Sequence, residues 1–149
     1  MDKCCKTAAL YVATLKAIYL IHQQNHWTTK GQSFYGDHLL FQRLYESAQE
    51  DLDEAAEKMI GLFGDECLDY SLQADLLNKL LLRFKPVSAS PVKLSLAIEQ
   101  AFLNFTETAY NCFEEEGKLS MGLDDMLMSI ASNRETSVYL LNQVNKGKQ

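Results

Sequence analysis

The residue types best suited to metal chemistry are concentrated in one stretch of the chain, from His22 to Glu57. This stretch holds all three histidines, the single tryptophan and the densest run of carboxylates. His26 and His38 lie twelve residues apart. Asp53 and Glu57 follow with a spacing of four, which places both carboxylates on one face of a helix. Imidazole and carboxylate together suit iron, manganese or zinc.

The length of the helix that carries His38 and Asp53 decides how these residues could meet. They are fifteen residues apart, which corresponds to about 22 Å along a straight α-helix. One chain therefore cannot bring both side chains to one ion. Two copies of this helix that cross antiparallel about a two-fold axis near Ser47 would bring His38 of one copy level with Asp53 and Glu57 of the other. The spacing predicts a metal site shared across a dimer interface.

A conventional ferritin site lies inside one helical bundle and is built from Glu-x-x-His pairs. The chain lacks that pattern, because the residues three positions before its histidines are Tyr19, Gln23 and Tyr35, and no histidine follows His38. Because this pattern is missing, we expect the metal site at the subunit interface and not in the bundle interior. For His22 we expect a hydrogen-bonded or exposed side chain rather than a metal ligand.

The same stretch resembles the signature of the Dps family, the mini-ferritins that oxidise and store iron. The matching residues are His26-Trp27, Lys30-Gly31, Phe34, His38, Leu44-Tyr45 and the run from Asp53 to Lys58. In that family two histidines of one subunit, with an aspartate and a glutamate of its two-fold mate, form the ferroxidase centre. The resemblance implies these roles for His26, His38, Asp53 and Glu57. It also implies iron as the metal, peroxide or oxygen as the oxidant, and a hollow dodecamer that holds ferric mineral.

One position departs from the family pattern, which usually has a further aspartate four residues after the second histidine. This chain has Gln42 there, and a neutral amide is a weaker oxygen ligand than a carboxylate. Two functions therefore stay open. One is an active ferroxidase, and the other is a catalytically impaired cage with a structural, zinc-binding or DNA-protective role. For Trp27 the alternatives are electron donation to the site and simple packing.

The spacing of apolar residues predicts the helices that must position these side chains. The predicted elements are helix A from Thr7 to about Thr29, helix B from Asp37 to about Phe63, a short amphipathic helix between Leu72 and Phe84 that Pro86 stops, helix C from Ser90-Pro91 to about Glu116, and helix D from near Gly122 to before Gly147. The prediction is an all-α, ferritin-like four-helix bundle with one long crossover between helices B and C, which contains the short helix.

The length of 149 residues fits a single domain over residues 1–149. The net charge is −6 and the positive residues are scattered, with only Lys3 and Lys6 before the predicted first helix. Nonspecific DNA binding draws on a basic surface or tail. We therefore expect that the protein does not bind DNA. The metal site predicted at a dimer interface implies a homo-oligomer.

The four cysteines, Cys4, Cys5, Cys67 and Cys112, show neither a C-x-x-C pair nor a regular disulfide spacing. We expect them to be reduced thiols. The first residues do not read as a signal peptide, and no continuous apolar run reaches the roughly 18 residues of a membrane span. The expected location is the cytoplasm.

Overall fold

A computed structural model describes residues 1–85 and 90–148, and within these ranges the chain forms five α-helices and no strand. The helices are α1 (Lys3–Thr28), α2 (Phe34–Phe63), α3 (Tyr70–Phe84), α4 (Pro91–Glu115) and α5 (Met121–Gly147), with a 3-10 turn at Asp65–Leu68. The all-α prediction is confirmed, and so is the short helix between the second and third long helices. The predicted stop at Pro86 lies outside the described residues.

Two helices begin earlier than predicted. The first begins at Lys3 instead of Thr7, because the Asp2 carboxylate accepts a hydrogen bond from the backbone N–H of Cys5 at 2.8 Å and caps the first turn. The second begins at Phe34, three residues before the predicted start. In both cases the first turn of the helix lies outside the apolar pattern that predicted it.

Asp37, the predicted first residue of the second helix, lies buried in the first turn of α2. Its carboxylate accepts hydrogen bonds from Ser33 Oγ at 3.0 Å and pairs with Lys148 Nζ at 2.7 Å. This contact joins the end of α5 to the start of α2. The predicted end of α2 is confirmed, since Gly64 follows with φ at +101°, a conformation that favours glycine.

The first helix is the centre of the bundle and contacts α2, α3 and α4. Its fully buried side chains include Tyr11, Leu15 and Ile18. A helix with neighbours on several sides is apolar around most of its circumference, and α1 contains an 18-residue window as apolar as a membrane span. By length and composition α1 could cross a membrane, but Lys16 lies inside this window, so it is not the continuous apolar run that we expected to be absent. Moreover, 67% of that window is buried inside the bundle, as in the core helix of a globular fold.

Two cysteines form a disulfide, which corrects the prediction of four reduced thiols. Cys5, at the start of α1, is bonded to Cys67 in the 3-10 turn that follows α2, and the bond spans 62 residues of sequence. Cys4 and Cys112 are free and buried. Burial raises the pKa of the Cys4 thiol, with a smaller contribution from Cys112, so Cys4 stays protonated over a wider range of pH than an exposed thiol.

A buried ion-pair network lies between the four long helices. Arg134 on α5 is fully buried, with Nε 3.0 Å from an oxygen of Glu99 on α4 and Nη1 3.1 Å from an oxygen of Asp51 on α2. Its Nη2 also donates to Ser137 Oγ at 2.6 Å and to Ser47 Oγ at 3.3 Å. Burial raises the pKa of Asp51, and a hydrogen bond from Asn133 and the charge of Arg134 oppose that shift. The guanidinium thus bridges two buried carboxylates.

His22 connects the first helix to the same network. Its Nε2 lies 3.1 Å from the second oxygen of Glu99, and its Nδ1 lies 2.9 Å from Ser95 Oγ. Asn25 donates to the same serine oxygen at 2.8 Å. The expectation of a hydrogen-bonded His22 is confirmed. The carboxylate can only accept, so His22 donates from Nε2 and can accept the serine hydroxyl proton at Nδ1.

Reducing the Cys5–Cys67 disulfide should lower the free energy of unfolding by about 4 kcal/mol, because the bond closes a long loop in the unfolded chain. The measurement is urea denaturation with and without a thiol reductant at one protein concentration. A Cys5→Ala/Cys67→Ala variant is the control and should be insensitive to reductant. A reductant effect of equal size in that variant would contradict the prediction.

Replacing Arg134 with methionine should lower the free energy of unfolding by about 3–5 kcal/mol, because Asp51 and Glu99 would lose their buried counter-ion. Urea denaturation measures the change. The matched control is Arg43→Met, at an exposed arginine of α2, which should change stability by about 0.5 kcal/mol or less. Equal effects of the two substitutions would show that the network contributes nothing specific.

Candidate metal centre

The turn between α1 and α2 brings two of the predicted ligands together. His26 lies in the last turn of α1, and His38 lies near the start of α2. Their rings stack with centroids 3.8 Å apart and planes inclined by 14°. Both side chains are partly exposed, so solvent and ions can reach them. The prediction had placed both residues at one centre, and this structure does bring them into contact.

Each of these two histidines is held by the backbone of the other. His26 Nδ1 lies 2.7 Å from the carbonyl oxygen of His38, and His38 Nδ1 lies 2.7 Å from the carbonyl oxygen of His26. A carbonyl only accepts, so Nδ1 carries the proton in both rings. The Nε2 atoms make no hydrogen bond to any described residue and keep a free lone pair. Such a hydrogen bond fixes the orientation of a metal-ligating histidine.

Aromatic rings pack around the histidine pair. Phe34 stacks on His38 with centroids 5.0 Å apart, and Tyr45 meets His26 edge-on at 5.4 Å. These contacts restrict rotation of the imidazoles. Trp27, by contrast, is 66% exposed, so the packing role considered for it is not fulfilled within a single chain.

The predicted carboxylate ligands lie away from the histidines of the same chain. Asp53 and Glu57 are exposed on α2, and Asp53 is fifteen residues, about 22 Å, along the helix from His38. Among residues 1–85 and 90–148, no group of three or more histidine, cysteine or acidic side chains could hold a metal ion. One chain therefore supplies only part of the predicted centre, and both carboxylates are accessible to another molecule.

Gln42, the weak ligand of the prediction, lies one turn after His38 and is half-buried. Its Nε2 donates a hydrogen bond to an oxygen of Glu46 at 3.0 Å. Sequence reasoning did not single out Glu46, although its spacing of four from Gln42 is the ordinary signal for such a contact on a helix.

Comparison with known proteins gives one sequence relative with a partial match. No family model matches the chain. The Nutrient stress-induced DNA-binding protein of Nostoc sp. is 32% identical over 65 residues, which cover 44% of this chain and 35% of that protein. The matched part is thus about a third of the length of the relative.

Comparison with solved structures is more extensive. Dps from Thermosynechococcus elongatus superposes with a TM-score of 0.79, at 19% identity over 95% of this chain and 89% of the other. The chain has the Dps fold. A Dps protein from Vibrio cholerae O1, described as a member of a superfamily of ferritin-like diiron-carboxylate proteins, superposes with a TM-score of 0.77, at 18% identity over 95% of this chain and 87% of the other. The Dps resemblance and the ferritin-like bundle predicted from the sequence are both confirmed.

The hydrogen bonds predict opposite tautomers for the histidines of this Dps-like chain. His26 and His38 should be protonated at Nδ1, whereas His22 should carry a proton at Nε2, which faces Glu99. The ¹⁵N chemical shifts of histidine-labelled protein, measured by solid-state NMR near neutral pH, report which nitrogen is protonated. His22 serves as the internal control. A proton on Nε2 of neutral His26 or His38 would contradict the proposed orientation of their lone pairs.

Proposed function

We propose that this protein is an iron-oxidising mini-ferritin whose ferroxidase centre forms between two copies of the chain. His26 and His38 of one copy bind ferrous iron, and Asp53 and Glu57 of the other copy complete the site. Hydrogen peroxide or oxygen is the oxidant. The ferric product is stored inside a hollow homo-oligomeric shell, for which the resemblance to the Dps family implies twelve subunits.

The observation that carries this proposal is the mutual anchoring of His26 and His38. The two Nδ1 atoms are occupied by backbone carbonyls, so two lone pairs are oriented before any metal arrives. A pair of oriented ligands without an acidic partner among the described residues of its own chain needs a second molecule to complete it. The exposed carboxylates Asp53 and Glu57 are suitable donors under a two-fold axis near Ser47.

The stacking of the two rings favours a pair of iron ions. A nitrogen lone pair lies in the plane of its ring, so two nearly parallel rings 3.8 Å apart do not direct their lone pairs at one point. Each histidine would therefore hold a separate ion, as in two-metal sites. A carboxylate can bridge two ions through its two oxygens. We assign this role to Asp53 and assign Glu57 as a ligand of one ion.

Two ferrous ions supply the electrons that the oxidant needs. Each ion gives up one electron, and the two electrons together with two protons convert one molecule of hydrogen peroxide into two molecules of water. Paired oxidation avoids the one-electron reduction that releases hydroxyl radical, and this protects against oxidative damage. Carboxylates stabilise the harder ferric product, while neutral imidazole suits the ferrous substrate.

The bundle interior supports an intersubunit position for this chemistry. The place between the long helices, where conventional ferritins bind metal, holds the guanidinium of Arg134 between Asp51 and Glu99. A tethered cation already pairs with both carboxylates, so a metal ion would have to displace it. The proposed iron ions therefore bind elsewhere.

A cage without an active ferroxidase is the second candidate, and Gln42 is the residue that favours it. In that case the histidine pair would bind zinc, or the shell would have a purely structural or DNA-protective role. The Nostoc relative is named a DNA-binding protein. The net charge of −6 disfavours DNA binding by this chain, and we propose that iron rather than DNA is its ligand.

We propose the cytoplasm as the location. Disulfides are rare in that compartment, so the Cys5–Cys67 bond found here counts against this part of the proposal. Alkylation of intact cells before lysis traps the redox state of these two cysteines. Reduced thiols would support the cytoplasm, and a disulfide would contradict it.

Adding ferrous iron and hydrogen peroxide to the purified apo protein tests the function. Wild-type protein should form ferric iron, followed by its absorbance, faster than buffer, and the His38→Ala and Asp53→Ala variants should be no faster than buffer. Glu54→Ala, an exposed acidic neighbour of Asp53, is the matched control and should keep the wild-type rate. Wild-type oxidation no faster than in buffer would contradict the ferroxidase function and favour the cage without an active ferroxidase.

Co-expression of His38→Ala and Asp53→Ala subunits tests whether the centre is shared. Each mixed pair would contain one centre with both residues intact, and random pairing makes half of all pairs mixed. The mixture should therefore recover roughly a quarter of the wild-type activity although neither parent is active. No recovery would contradict a centre shared between subunits.

A further inference from the structure

Gln42 shares one feature with the histidine pair, because a side-chain nitrogen of each residue already donates a hydrogen bond within the chain. His26 and His38 donate from Nδ1 to backbone carbonyls, and Gln42 donates from Nε2 to Glu46 at 3.0 Å. In each of the three side chains the remaining polar atom is an acceptor. The two Nε2 lone pairs and the Gln42 Oε1 atom make no hydrogen bond to a described residue. Three acceptors of one chain are thus left available near the start of α2.

The identity of the bonded end of Gln42 follows from the chemistry of Glu46. A carboxylate only accepts, so the nitrogen end of the amide must face Glu46 and the oxygen end must be free. Without Glu46 the amide could present either end, and the N–H₂ end repels a cation. Glu46 therefore selects the orientation in which Gln42 can act as a ligand. The two residues are four apart on α2, where side chains are neighbours.

We infer that Glu46 is a positioning residue, which turns Gln42 into an oriented neutral oxygen ligand for the metal held by His38. Gln42 lies between His38 and Glu46 along one stripe of α2, with one helical turn on either side. Its Oε1 completes the set of neutral donors from this chain, and the partner chain supplies the carboxylates. The charge of Glu46 also polarises the amide and strengthens its oxygen as an acceptor. This inference rests on the proposed function.

Cobalt(II) binding to the assembled apo protein tests this role without depending on turnover. Calorimetry gives the affinity and stoichiometry, and the visible spectrum of cobalt reports its coordination. Glu46→Ala and Gln42→Ala should each weaken binding by roughly ten-fold or more, as loss of an orienting partner does. The double variant should be no weaker than Gln42→Ala alone, because both substitutions remove the same ligand.

Two further variants separate orientation from charge. Glu46→Gln keeps an acceptor oxygen for Gln42 Nε2 but adds an amide donor, so it selects the orientation of Gln42 only in part and should weaken binding less than Glu46→Ala does. Glu50→Ala removes an exposed acid one turn beyond Glu46 and should leave the affinity unchanged. Equal weakening by Glu46→Gln, Glu46→Ala and Glu50→Ala would overturn the inference in favour of a general charge effect.

The outcomes for the inference and for the proposed function differ. Cobalt binding that depends on His38 but not on Glu46 or Gln42 overturns the positioning role and leaves the shared centre intact. Binding that survives His38→Ala unchanged overturns the shared centre, and the inference falls with it. Additive losses in the Glu46→Ala/Gln42→Ala double variant show two independent effects, which also overturns the positioning role.

Discussion

The interior of this bundle depends on one buried cation, the guanidinium of Arg134. Arg134, on α5, has no exposed surface and contacts carboxylates from α2 and α4. His22 connects α1 to the same network through Glu99. Removing Arg134 would leave two carboxylates without their counter-ion in a region of low dielectric constant, so the four long helices are held in one relative arrangement. That arrangement fixes the hairpin of α1 and α2, and the hairpin in turn brings the candidate metal ligands together.

Much of the fold could be predicted from the sequence, because apolar spacing reflects which face of each helix is buried. The Ser90-Pro91 start and the Gly64 end were recognised because capping chemistry is local. The start of α1 was missed because Asp2 caps a turn of small and polar residues without apolar periodicity. The Cys5–Cys67 bond was missed for a different reason, since a separation of 62 residues carries no sequence signal.

The candidate site was predictable to a different degree for each residue. The resemblance to the Dps family implied that His26 and His38 share one centre, but it did not identify the two carbonyls that fix their protons. Those bonds arise from the path of the turn between two helices, which only the folded backbone defines. The ion pairs of Arg134 were not anticipated, although an arginine amid the buried positions of helix D, eleven residues after Leu123, was a visible clue. A polar residue at a core position predicts an internal partner without identifying it.

The disulfide has a consequence for how subunits can cooperate. Every candidate ligand from His26 to Glu57 lies on the covalent ring that Cys5 and Cys67 close. Many proteins share residues between subunits by domain swapping, in which one element leaves its own fold and replaces its counterpart in a neighbour. Here neither α1 nor α2 can be exchanged alone while the bond is intact. The α1–α2 hairpins of two subunits must therefore meet as completed units, and an interface made between them can separate and reform without unfolding either hairpin.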